Sequence, residues 1–203
     1  MHIEEADIYF LIDGSGSIRQ DDFLQMKAFM KEVIKTFHIG PDRVQFGVVQ
    51  YSDQINSEFI LGQYPSVTQL KVAVDGIQQS GGGTRTGQAL RNMAQVFADT
   101  ARDSAPWYLI VVTDGQSQDP VAEAAKALRS NGVNIYAIGV RDANTAELKE
   151  IAEDKMFFVH EFDSLKAIQQ EVVKDICFSE SKNFSSISLS LSPLPPPQYM
   201  CLI

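Results

Sequence analysis

The chain has 203 residues, 44% of them hydrophobic, enough for one α/β domain with a sizeable core and too few for two comfortable ones. Acidic residues outnumber basic ones 26 to 17, a formal charge of −9, which argues against nucleic acid as a partner because phosphate binding needs a basic patch. No apolar run approaches the ~20 residues that span a bilayer, and Met1-His2-Ile3-Glu4-Glu5 lacks the layout of a signal peptide, so no membrane insertion is expected.

Asp7-Ile8-Tyr9-Phe10-Leu11-Ile12-Asp13 is almost continuously apolar and rich in β-formers, the signature of a strand buried on both faces. Gly14-Ser15-Gly16-Ser17 ends it in a turn. From Ile18 to Phe37, apolar residues recur at helical spacing, with Asp21 and Asp22 near the start and Gly40-Pro41 beyond the end. The stripe of Met26, Phe29 and Met30 belongs to the core. Val44–Tyr51 is a second buried strand, and Ser57–Leu61 a short one behind it that can form an antiparallel edge. Helices are expected over Val67–Ile77 and, after Gly81-Gly82-Gly83, over Thr86–Ala98. Tyr108–Thr113 is a strand, Val121–Ser130 a helix, Val133–Val140 a strand, Glu147–Ala152 a short helix, Met156–His160 a last strand and Leu165–Ile176 a last helix. This alternation predicts a doubly wound, mostly parallel α/β sheet with one antiparallel edge strand and helices on both faces.

A domain over residues 1–177 is therefore expected, followed by a Ser- and Pro-rich tail or linker over 178–203 that cannot bury a core. Asn183-Phe184-Ser185 fits a glycosylation sequon of the kind common by chance, and Cys201-Leu202-Ile203 is one residue short of a prenylation box. Two cysteines, Cys177 and Cys201, lie at or beyond the end of the patterned region. They can pair with each other, or Cys177 can pair with a cysteine upstream or in another chain.

The chemistry lies where two strands end. Asp13-Gly14-Ser15-Gly16-Ser17 follows the first strand and Asp114-Gly115 the one from Tyr108, and ligands of parallel sheets bind beyond the carboxyl ends of strands. Carboxylates and hydroxyls meeting there are hard oxygen donors, suited to magnesium, manganese or calcium and poorly to zinc. Asp13-x-Ser15-x-Ser17, Thr84 in a Gly-rich loop and Thr113-Asp114-Gly115 together resemble the metal-ion-dependent adhesion site (MIDAS) of von Willebrand factor A domains. The resemblance covers roughly residues 6 to 177. It implies a metal site made of Asp13, Ser15, Ser17, Thr84 and Asp114. In it the two serines bind the ion directly, Asp13 and Asp114 often act through water, and Thr84 joins when a ligand is engaged. It also implies Mg²⁺ as the cofactor, with Mn²⁺ or Ca²⁺ as alternatives, and a free coordination position for a partner's Glu or Asp. The glycine run then lets the Thr84 loop shift, and Leu165–Ile176 resembles the helix that slides in switching members of the family.

Competing readings are weaker. A polar turn capping the first helix would explain the serines alone, and Ser17 can serve both roles. A phosphate loop needs Gly-Lys-Ser/Thr, and a dinucleotide fold a third glycine where Arg19 stands. An esterase needs Gly-x-Ser-x-Gly and a downstream histidine, whereas His160 closes a strand as a packed or rim residue, so no enzyme is expected. Arg85 is either a solvated loop residue or a rim contact selecting acidic partners. Asp119 and Glu123 lie near the site edge.

Within the family, Ile168 to Cys177 looks like the cysteine-ended final helix of the extracellular-matrix modules of collagen VI and matrilins. After Val140 the chain runs Arg141-Asp142-Ala143-Asn144-Thr145 straight toward the next helix, without the extra short helix of collagen-binding integrin inserted domains. The expectation is a secreted matrix module binding extracellular-matrix or cell-surface proteins that present a Glu or Asp, with an inter-module or inter-chain disulfide through Cys177. An integrin α inserted domain for cell adhesion, or an assembly module that does not rely on metal, are the alternatives.

Overall fold

A computed structural model describes residues 5–178. Six strands form one sheet in the order β3-β2-β1-β4-β5-β6: β1 Ala6–Asp13, β2 Val44–Tyr51, β3 Ile55–Phe59, β4 Trp107–Thr113, β5 Val133–Val140 and β6 Met156–Val159. All neighbours are parallel except β3, which runs antiparallel to β2. The expected fold class is what the chain adopts.

Alternation along β1 divides the interior into two cores. Ile8, Phe10 and Ile12 join a cluster with Phe23, Met26, Phe29, Met30, Val172 and Ile176 from α1 (Gln20–Lys35) and α6 (Leu165–Phe178). Tyr9 and Leu11 face the opposite cluster, with Leu90, Met93 and Phe97 of α3 (Thr86–Thr100), Ala125 and Leu128 of α4 (Ala122–Ser130), and Leu148 and Ile151 of α5 (Thr145–Ala152). Because both faces are covered, all eight residues of β1 are buried and its sequence shows no polar alternation. The helix α2 (Val67–Gly76) packs against α1 and starts at Ser66, whose side chain accepts from the Gln69 amide.

Several boundaries differ from those the sequence suggests. β3 begins at Ile55 rather than Ser57 because a tight turn at Ser52–Gln54 starts the ladder at once, pairing Tyr51 with Ile55, and Leu61 lies beyond the ladder. α1 begins at Gln20 rather than Ile18, which is buried in the preceding turn. α5 begins two residues early, because the Asn144 side chain accepts from the Ala146 and Glu147 amides at 3.0 and 3.2 Å. Only Arg141 to Asn144 separate β5 from α5, so no extra helix lies there. Cys177 is near the end of α6, and the Ser/Pro-rich segment with Cys201 and the sequon lies outside the described residues.

Candidate metal centre at the sheet switch point

The chain winds from β1 outward to β2 and β3, then returns to β4 on the other side of β1. Such a reversal opens a crevice between the carboxyl ends of the two central strands, where neither connection crosses. Asp13 ends β1, and Asp114 follows β4 at this crevice.

The β1–α1 turn folds back on itself. One carboxylate oxygen of Asp13 accepts from the Ser15 amide at 2.8 Å, and the other accepts from the Thr113 hydroxyl at 2.8 Å. The Ser15 and Ser17 hydroxyls are 3.0 Å apart, and Ser17 Oγ donates to Asp114 Oδ1 at 2.9 Å. This last bond joins residues 97 positions apart and ties the first loop to the second. The serines therefore face the crevice. The α1 N-cap is Arg19, whose side chain does not cap, so Ser17 does not fill that role. Gly14 admits this path because a Cβ there would collide with the Gln50 side chain.

The third loop is sewn to the first by Gly81 N–H to Gly14 O and Gly16 N–H to Gly82 O, both at 2.9 Å. Gly81 and Gly82 have φ of 71° and 92°, the left-handed backbone that favours glycine. The Gly83 amide donates to Asp53 Oδ2 at 2.9 Å, and the Thr84 carbonyl accepts from the Gln118 amide at 2.8 Å. The glycine run is thus bonded to the first loop on one side and to Asp53 on the other. Thr84 is buried, and its hydroxyl has no hydrogen bond among the described residues. The other four expected positions form one continuous set of contacts from Asp13 to Asp114, while the Thr84 backbone bonds to Gln118 in the loop after Asp114.

Burial sets the electrostatics. Asp13 is wholly buried and its carboxyl is pushed up to about 6, first by desolvation and further by Asp114, against the bonds from Ser15 and Thr113. Asp114 is also raised, mainly by burial, with the Ser17 bond and Arg141 opposing and Asp142 assisting. Gly16 and Ser17 are exposed, so the crevice opens to solvent above a buried acid. Two carboxylates held by neutral donors in a low-dielectric crevice fit a cation. Among the described residues no group of three or more His, Cys, Asp or Glu side chains could hold a metal.

The rim has its own bonds. Arg85 is half exposed, its Nε 3.5 Å from Asp53 Oδ1. Asp119 accepts from the Gly87 amide and Arg91, and Glu123 is an exposed residue of the first turn of α4. Arg141, for which the sequence suggested no ion pair, has φ 58° and holds Asp22 and Glu161 at 3.0 and 3.1 Å, joining α1 to the β6–α6 connection. His160 is exposed beside Phe158.

A doubly wound sheet with oxygen donors at its switch point defines a class, and the von Willebrand factor type A domain model matches residues 7–171. The chain belongs to that family. It is 69% identical over 179 residues to the mouse (Mus musculus) collagen alpha-4(VI) chain, covering 88% of this chain and 8% of the collagen chain. It is 35% identical over 181 residues to chicken (Gallus gallus) matrilin-1, covering 86% and 37%. Among solved structures, proximal thread matrix protein 1 of the mussel byssus superposes with a TM-score of 0.77 at 34% identity, covering 85% of this chain and 46% of that one, in a form with zinc occupying its MIDAS motif. The chain thus spans under half the length of each of these relatives. It is a domain of the collagen VI and matrilin type.

Proposed function

We propose that this domain holds a divalent cation through Asp13, Ser15, Ser17, Thr84 and Asp114, and engages a Glu or Asp side chain on a partner in the extracellular matrix or on a cell surface. The observation that supports this best is the Ser17–Asp114 bond, which spans the crevice between two strand ends with oxygen atoms alone. Asp13 anchors the first loop by taking the Ser15 amide and the Thr113 hydroxyl, and keeps negative charge beneath the serines. Only two of the five donors are ionisable, so the set leaves a divalent ion attractive to a further carboxylate. When bound, the ion supplies that electrophilic position. Hard oxygen donors favour magnesium, with manganese or calcium next. The zinc-occupied relative makes zinc a necessary competitor in any test.

The setting is the extracellular matrix, as for the collagen VI and matrilin relatives, and the role is binding rather than catalysis. Cys177, near the end of α6, is already disulfide-bonded, so no bridge to a neighbouring module or chain is proposed through it. Calorimetry of magnesium binding to the wild type and to Asp114→Ala tests the metal reading, and retention of matrix-extract proteins that chelator releases tests the partner reading. A wild type and variant that respond alike to magnesium would leave an assembly module that does not use the metal.

A further inference from the structure

The helix α3 starts two residues after Thr84, and its own N-cap residue, Arg85, makes no side-chain cap. The first amides of a helix nevertheless need acceptors. Here they come from another loop: Thr86 N–H donates to Ser117 Oγ at 3.1 Å and Gly87 N–H to Asp119 Oδ1 at 2.9 Å. Ser117 Oγ also donates to Asp119 Oδ1 at 2.9 Å and accepts from the Asp119 amide at 3.2 Å, so the hydroxyl is at once the cap and the brace of its partner. The approach is close, since a Cβ at Gly87 would run into the Pro120 carbonyl. Glu147 of α5 fixes the other side of Ser117, both carboxylate oxygens taking its amide at 3.0 and 3.1 Å.

Ser117 stands three residues after Asp114, and Thr86 two residues after Thr84. The capping bonds therefore tie together the chain segments that follow these two expected ligands, and Gln118 N–H to Thr84 O at 2.8 Å runs beside them. A cap supplied by a residue of the helix's own chain segment would stabilise α3 equally well and say nothing about Asp114. This one couples them.

We propose that Ser117, seconded by Asp119 and braced by Glu147, is a positioning residue of the metal centre, which fixes where the Thr84 hydroxyl stands relative to Asp114. The proposal rests on the metal reading given above. Residues that orient ligands from behind commonly change metal affinity about 10- to 100-fold when removed.

The test is a double-mutant cycle in magnesium affinity, measured by calorimetry with magnesium alone, on wild type, Ser117→Ala, Thr84→Ala and the double variant, with thermal unfolding in chelator recorded for each. Ser117→Ala is expected to weaken magnesium about tenfold in the wild-type background and to add nothing once Thr84 is alanine, whereas Ser117→Thr, which keeps the hydroxyl, binds as wild type does. Asp119→Asn, which keeps the shape and loses the charge, should fall between. If Ser117→Ala binds magnesium as wild type does, or weakens it by the same factor with and without the Thr84 hydroxyl, the capping bonds support α3 alone and the proposal is wrong. A wild type that takes up no magnesium overturns the metal reading itself, and this one with it.

Discussion

The two ends of β1 make opposite use of a buried aspartate. At the amino end, Asp7 is wholly buried and receives Arg102 through Nε at 2.9 Å and Nη2 at 2.6 Å, together with the Arg102 amide at 2.6 Å. The same guanidinium takes the carbonyls of Ala6, Pro41 and Arg43, so the charge is matched and the edge is closed from within. At the carboxyl end, Asp13 is just as buried, but its two direct partners are an amide and a hydroxyl, both neutral. One end of the strand has a cation built into the fold. The other has none of its own, and under the proposed function that asymmetry separates a structural edge from a binding edge.

The largest expected effect breaks the closed end. Arg102→Ala leaves the Asp7 charge buried and unmatched and should lower unfolding free energy by about 3–5 kcal/mol in urea titration, while the folded fraction binds magnesium as before. The open end should behave in the reverse sense. In chelator, Asp13→Asn removes a desolvated charge, and because the Thr113 oxygen can accept as well as donate, the variant should gain up to about 2 kcal/mol over wild type at pH 7. In magnesium the order inverts, since the variant no longer responds to the metal. A wild type more stable than Asp13→Asn in chelator would contradict the contrast between the two ends.

A pH series sharpens it. The Asp13 carboxyl at about 6 lies above its ordinary value of 3.8, so the metal-free fold binds a proton more tightly than the unfolded chain does. That contribution is present at low pH and is lost as pH rises through about 6. The metal requires the ionised form, so the magnesium-induced rise in Tm should shrink as pH falls from 7 to 5. The smallest effect lies in a helix cap: Asn144→Ala removes the α5 cap and should cost about 1 kcal/mol in urea titration.

The open end was legible in the sequence to a degree that the closed end was not. Asp13-Gly14-Ser15-Gly16-Ser17 and Thr113-Asp114 announce themselves because each cluster is local and sits at the end of an unmistakable apolar strand. Arg102 is 95 residues from Asp7, in a connection without pattern, and nothing in the sequence pairs them. The capping of α3 by Ser117 and Asp119 escaped for the same reason, Asp119 showing only as an acidic residue near the site. A local signal was available for α5, where Asn144 precedes Glu147 by three residues in the manner of a capping box. The hairpin shift at β3 turned on how tightly Ser52–Gln54 closes, which side-chain alternation does not record.

The margins of the sheet have a consequence for how copies of the domain meet. β3 is five residues long, antiparallel, with a register irregularity opposite Val48 and Val49, and its Glu58 accepts a bond from Gln50 at 2.8 Å. The opposite margin, β6, has four residues. Long flat margins invite neighbouring sheets to fuse, whereas short ones deny them a template, and β3 adds a register shift and a charge. Copies of such a unit can be concentrated side by side while each sheet stays separate.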